Sequence, residues 1–520
     1  MAHLPSIPRG KVPFAQKISF GSGHLVLNLL PGALGVFSFF LLTAFGMDPF
    51  LAGLLGGLPR LYDALTDPIM GFVSDNTTSK WGRRRPYIFV GAILSGIFYI
   101  LLWQLNPEDS QTYNFWYFLI FSLIFLTGNT IYATPLVGLG YEMTSDYNER
   151  TRLMAFSQTM GQIAWMIVPW FWVIIADPKI FASQAEGVNQ LAFYVGAACI
   201  ILGVLPAFFC KGIDSSKMEN RKEINFKTLV SNVKDLFISI KQVSKNKPFM
   251  KLCGATFLIF NGFQIVAAFS VFIIVFYMFN GSYAAAGTWP AWFSTISAIL
   301  TAFLVIPFIT WMSNKWGKRT AFIISTAISI VGYLLKWFGF DTELNAQFNQ
   351  TGFAKALTAG VGSIFEFLNP YLDQIGMSWF SINISNEIPW LIFFPIPLIA
   401  FGLGGLFTLM MSMTADVCDL DELENGMPRK EGTFGAIYWW MVKLGQALAL
   451  VLSGLVLKLI GFDGAAASQT AETMHSLRLA DIIIPSITAG IAMLIMWRYN
   501  LDEKRAREIK DLLVARRGEL

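Results

Sequence analysis

The chain has 520 residues, of which 54% are hydrophobic and 14% charged, with a formal net charge of +4 and a mean hydropathy of +0.54. An ordinary soluble domain carries about 25% charged residues, so this composition argues against a soluble enzyme or a nucleic-acid-binding protein. It points to an all-α membrane protein of many spans.

Apolar runs predict twelve helices, each near or above the roughly 20 residues a bilayer requires. They cover 20–45, 49–74, 87–105, 115–142, 152–176, 190–210, 249–280, 288–312, 319–339, 389–416, 433–461 and 477–498. A polar, proline-containing stretch to Gln16 precedes them and shows no cleavable signal pattern. The first helix carries His24 and Asn28. The second carries Arg60-Leu61-Tyr62-Asp63-Ala64-Leu65-Thr66-Asp67-Pro68. Asp63 and Asp67 are four apart and share one helix face, with Arg60 close to it. An ionised carboxylate at bilayer depth costs several kcal/mol, so it is rarely left facing lipid. Facing the protein interior, the pair can hold a small cation, with Thr66 adding a hydroxyl oxygen, or it can share a proton.

The basic turn Lys80-Trp81-Gly82-Arg83-Arg84-Arg85 follows. The fourth helix contains Asn129, Thr130 and Tyr132 and ends at Glu142, close to Asp146 and Arg150. The fifth contains Gln158, Gln162 and Trp165. After the sixth comes a charged linker, 211–248. The seventh helix contains Asn261 and Gln264. The eighth runs into Lys315-Trp316-Gly317-Lys318-Arg319. Between the ninth and tenth lies an insertion, 340–388, in which Phe353–Leu372 reads as amphipathic and partly helical. It is either a lipid-surface or capping segment or a substrate lid. The tenth helix begins at Trp390 and ends among Asp416, Asp419, Asp421 and Glu422, ahead of Arg429. The eleventh carries Trp439, Trp440, Lys443 and Gln446, and a basic tail occupies 499–520.

Lys and Arg concentrate in the even gaps between helices and at both ends of the chain, which places both termini in the cytoplasm. Lys179, Lys336, Lys355, Lys458 and Arg478 are exceptions. The two Lys-Trp-Gly turns fall six helices apart. With the central linker they divide the chain into 1–210 and 249–498, two six-helix halves in parallel repeat, the layout of major facilitator transporters.

Lys443, deep in its helix, requires a partner, either Asp63 or Asp67 across the halves or an anionic substrate group. Asn28, Tyr132, Gln158, Gln162, Asn261, Gln264 and Trp439 complete a candidate substrate set. Arg83, Arg84, Glu142, Asp146, Arg150, Asp416, Asp419 and Arg429 form a candidate cytoplasmic gate. The four cysteines read as small apolar residues and the three histidines are scattered. No phosphate-binding loop appears. No nucleophile, base and orienting group converge, so neither ATP-driven export nor catalysis is expected.

The motifs around Asp63 and Asp67, Leu139-Gly140-Tyr141-Glu142 through Arg152, Ala415-Asp416-Val417-Cys418-Asp419, and Lys443-Leu444-Gly445 resemble the glycoside–pentoside–hexuronide:cation symporters. This is the major facilitator branch that includes melibiose permease. The resemblance implies cation-coupled uptake by alternating access in a bacterial inner membrane, with a solute and sodium or a proton as partners and a monomer as the default. It also implies that Asp63, Thr66 and Asp67 bind the coupling cation, with no other metal or cofactor. The galactoside-reading residues of melibiose permease are missing: Ala133, Val137 and Gln158 stand at their positions, and no carboxylate lies near Leu27 or Asn28. A galactoside is therefore not expected; the expected solute is a glycoside, hexuronide or related small molecule, and not necessarily a simple sugar. Animal lysophospholipid carriers resemble the same branch, which makes an amphiphile the alternative.

Overall fold

The computed structural model describes residues 11–517, apart from 145–146, most of 212–242, 375–387 other than Phe380, 426–430, 465 and 502. The chain divides into two compact units, Met1–Phe237 and Ile238–Leu520. Most of the expected linker lies outside the described residues.

The first unit contains α1 (Phe14–Thr43), α2 (Pro49–Asn76), α3 (Arg85–Leu102), α4 (Gln111–Glu142), α5 (Tyr147–Ala176) and α6 (Gln184–Phe209). The second contains α7 (Lys247–Met278), α8 (Trp289–Trp316), α9 (Lys318–Gly339), α10 (Thr342–Asn349), α11 (Gly352–Gln374), α12 (Ile396–Asn425), α13 (Glu431–Leu459), α14 (Ala471–Trp497) and α15 (Glu503–Arg517). Eleven of these helices are long and apolar enough to cross a membrane. α2 is a further long rod, outside those eleven. Its 28 residues suffice in length, but Arg60, Asp63, Asp67 and Asp75 lower its apolarity.

Local chemistry sets the helix starts. Asp48 caps α2 by accepting from the Phe50 and Leu51 amides, with Pro49 in the first turn. Ser110, Ser183, Asn246 and Thr470 accept in the same way at α4, α6, α7 and α14. These caps place several starts a few residues before the first apolar residue of the predicted runs.

The repeat seen in the sequence extends to packing. In the first unit α1 packs on α5 and α6, α3 on α4 and α6, and α2 on α4. In the second α7 packs on α13 and α14, α9 on α12 and α14, and α8 on α12. The two Lys-Trp-Gly turns share a backbone conformation, with Gly82 at φ 89° and Gly317 at φ 82°. A side chain would be strained at either position.

Small residues bring the helices close. A Cβ added at Gly91 of α3 would collide with the Tyr132 backbone of α4, and one at Gly332 of α9 would lie 2.6 Å from the Ile399 amide of α12. Gly91→Ala is therefore expected to cost about 1–3 kcal/mol by overpacking. A lowered melting temperature, with cation-induced stabilisation retained, is the outcome that checks it.

The tail departs from expectation. Instead of a basic extension it forms α15, whose Ile509 and Leu513 are buried in the apolar core of the second unit with Leu501. The basic residues of this segment masked an apolar pair four apart.

Candidate cation site on helix α2

α2 turns Tyr62, Asp63, Thr66 and Asp67 toward Thr127 and Thr130 of α4. Asp63 is buried, with 4% of its surface exposed, and Asp67 is half-buried. The Thr130 hydroxyl lies 3.0 Å from Asp63 Oδ1 and 3.1 Å from Asp67 Oδ1, bridging the two carboxylates. Thr66 Oγ1 lies 3.3 Å from Thr130 Oγ1 and donates to the Asp63 carbonyl at 3.2 Å. One turn away, the Tyr62 and Thr127 hydroxyls pair at 2.9 Å. Four oxygen-bearing side chains thus meet at one place, the donor set that hard cations prefer. Pro68 contributes as well: lacking an N–H, it offers no helical donor to the Ala64 carbonyl. The sequence reading placed Thr130 only among cavity polar residues. Its three-residue spacing from Thr127, which aligns both hydroxyls on one face of an apolar helix, is the signal that marks it.

The proposed substrate residues divide by environment. Asn28 is held by its neighbours: it donates to the His24 carbonyl at 2.8 Å and accepts from Trp165 Nε1 at 3.2 Å. Tyr132 is fully buried and its hydroxyl donates to the Gly23 carbonyl at 3.0 Å, joining α4 to α1. Gln162 is exposed, and Gln264 and Lys443 are half-buried. Trp439 is exposed and stacks on Phe407 with centroids 6.1 Å apart. Asn261 is buried, yet among the described residues neither polar atom of its amide has a partner. Because buried polar groups are normally satisfied, Asn261 is the member of the set best suited to take a ligand or water. The Gln158 side chain lies outside the described residues.

Several of the described gate residues form ion pairs inside their own unit. Glu142 is buried at the end of α4 and accepts from Arg83 Nε at 2.8 Å and Arg84 Nε at 2.6 Å, while Arg84 also binds Asp75 at 2.7 Å. In the second unit Lys318 binds Asp416 at 2.6 Å. Each Lys-Trp-Gly turn therefore ties helices of its own unit together, and Lys318, read from the sequence as part of the repeat and of the basic loop pattern, pairs with Asp416. Asp419 is half-buried. Asp146, Arg429 and the Arg150 side chain lie outside the described residues.

Residues 19–503 match the family described as MFS/sugar transport protein. The chain belongs to that family. Among its relatives is the isoprimeverose transporter of Lactiplantibacillus pentosus, 21% identical over 97% of this chain and 92% of the relative. Another is the sodium-dependent lysophosphatidylcholine symporter 1 of Gallus gallus, 24% identical over 97% and 90%. Among solved structures, a bacterial homologue of the human lysosomal transporter Spinster superposes with a TM-score of 0.62 at 13% identity, covering 96% of this chain and 99% of that one. A D-xylose–proton symporter gives 0.56 at 14% identity, covering 94% and 97%. These likenesses establish the major facilitator fold, and this MFS protein is a membrane transporter.

Proposed function

We propose that the protein is a symporter in which a sodium ion or proton, held by Asp63, Asp67, Thr66 and Thr130, drives uptake of a glycoside, hexuronide or related small solute by alternating access. The observation that carries this reading is the Thr130 hydroxyl bridging two carboxylates on α2. Symporters among the relatives support coupled transport. The Lys and Arg distribution supports a bacterial inner membrane with both termini in the cytoplasm. Asn261, Gln264, Trp439 and Lys443 form the solute-binding set in the second unit, and Asn28 and Gln162 in the first.

Proteoliposomes of the purified protein, assayed with sugars, uronates and lysolipids under sodium and pH gradients, test the reading. Uptake indifferent to both gradients would sink it. Thr130→Val keeps the shape and removes the hydroxyl. A hydrogen bond to a charged group contributes about 1.5–3 kcal/mol, so the half-saturating cation concentration is expected to rise roughly tenfold or more. An unchanged value would remove Thr130 from the site.

One observation favours an amphiphile as the second reading. An open apolar groove of about 370 Å³ between α2, α3 and α4 is lined by Tyr62, Leu94, Phe98, Leu123 and Thr127, and Tyr62 adjoins Asp63. An alkyl chain fits such a wall and a sugar does not. Competition between lysolipid and sugar in the same assay separates the two.

A further inference from the structure

The insertion between the ninth and tenth spans is built onto the ends of three spanning helices. Asn345 of α10 donates to the Gly339 carbonyl at the end of α9, and its Oδ1 accepts from the Leu391 amide just ahead of α12. Asn349 donates to the Ile388 carbonyl. α11 is held by Trp390, whose Nε1 donates to Thr358 at 3.0 Å, and by Trp292, whose ring meets Phe365 at 6.1 Å. Trp289 and Trp292 open α8, and Trp390 opens the short turn before α12. All three tryptophans stand at the end of the second unit opposite the Lys315–Arg319 turn. Tryptophan at the ends of spans marks the membrane–water boundary, so α11 runs at that depth.

At about 100° per residue, α11 has three faces. Ala354, Thr358 and Phe365 look into the unit, and Ala354 and Phe365 are buried. Phe353, Ile364, Phe367 and Tyr371 fall within about 60° of one another on a second face. They are 67%, 56%, 67% and 57% exposed. Lys355, Glu366 and Asp373, all exposed, share the third. A helix in water has no use for four exposed large apolar side chains in line. A helix buried in the acyl region would not carry a row of charges beside them. An apolar face next to a charged one, at the level of a tryptophan belt, is the pattern of an in-plane interfacial helix.

We propose that α11 lies in the bilayer surface, with Phe353, Ile364, Phe367 and Tyr371 inserted at the headgroup–acyl boundary and Lys355, Glu366 and Asp373 in water. Its partner is the lipid bilayer itself, continuous with the exposed apolar wall of α8 at Phe303, Leu304 and Phe308. The helix thereby anchors the ends of α8, α9 and α12 to the membrane surface, and it does not close as a lid over the solute path.

Nitroxide scanning of the full chain in phosphatidylcholine–phosphatidylglycerol liposomes tests this. The four native cysteines are buried, so an introduced surface cysteine is labelled selectively. Labels at I364C and F367C are expected to show an oxygen-to-nickel-chelate accessibility ratio severalfold above that of labels at K355C and E366C. Equal ratios at all four positions would put the apolar face in water and overturn the proposal. Spin–spin broadening at F367C would show a second copy covering the face and would overturn it as well. The substituted positions are exposed, and each variant is carried forward only when it elutes like the parent chain and keeps its melting temperature.

Discussion

Asp63→Asn and Asp67→Asn are each expected to abolish gradient-driven uptake while leaving the protein folded. One charge crossing about 100 mV gains about 2.3 kcal/mol, which supports roughly fifty-fold accumulation. Without a coupling carboxylate that accumulation collapses to equilibration. The same substitutions separate coupling from a structural role. Asparagine keeps the shape and removes a negative charge, buried at Asp63 and half-buried at Asp67, so intrinsic thermal stability is expected to hold or rise, because an ion at this depth is costly. The stabilisation produced by adding sodium, or by lowering pH for a proton-coupled carrier, is expected to disappear. Gradient-driven uptake that survives both substitutions would remove the pair from coupling. A large loss of intrinsic stability would make it a structural element.

The second large effect is expected in the second unit. Lys336 of α9 and Asp481 of α14 form a buried ion pair, Asp481 being 1% exposed, and Lys336 also donates to Ser270 of α7 at 2.9 Å. Beside it Arg478 lies between the rings of Tyr277 and Trp337, 4.3 Å from each centroid, and donates to the Tyr277 hydroxyl and the Trp337 carbonyl at 2.7 Å. This cluster joins α7, α9 and α14. Removing one partner of a buried pair strands the other charge and costs about 3–5 kcal/mol, whereas replacing both by apolar residues is often neutral. Lys336→Met and Asp481→Leu are therefore each expected to lower the apparent melting temperature by several degrees. The double variant is expected to recover most of that loss. A double variant as unstable as the sum of the singles would show that the pair is not coupled.

Much of the architecture was legible before the structure. Spanning helices must satisfy their backbone internally and be apolar over a bilayer's thickness, so runs of apolar residues identified twelve rods within a few residues at most ends. The paired Lys-Trp-Gly turns identified the repeat, which the shared packing order and the matching conformations of Gly82 and Gly317 extend to three dimensions. What the sequence could not show rests on contacts distant in the chain. The Tyr132 hydroxyl donates to the Gly23 carbonyl, 109 positions away. Lys336 and Arg478 stood as exceptions to the loop-charge bias, and they are exceptions because Asp481 and the Tyr277 and Trp337 rings hold them inside the unit. The basic composition of 499–520 concealed a packed helix, because two buried residues leave little periodic signal among six lysines and arginines from Lys504 to Arg517.

The sequence by itself determined that the chain spans a membrane in two related halves and that Asp63 and Asp67 share one face of α2, since bilayer thickness and helical period are local rules. Only the tertiary structure decided that Thr130 bridges the two carboxylates, that Asn261 is buried without a partner among the described residues, and that α11 presents an apolar face beside a charged one. Each depends on how separate helices pack and rotate against one another, and no single segment's periodicity specifies that.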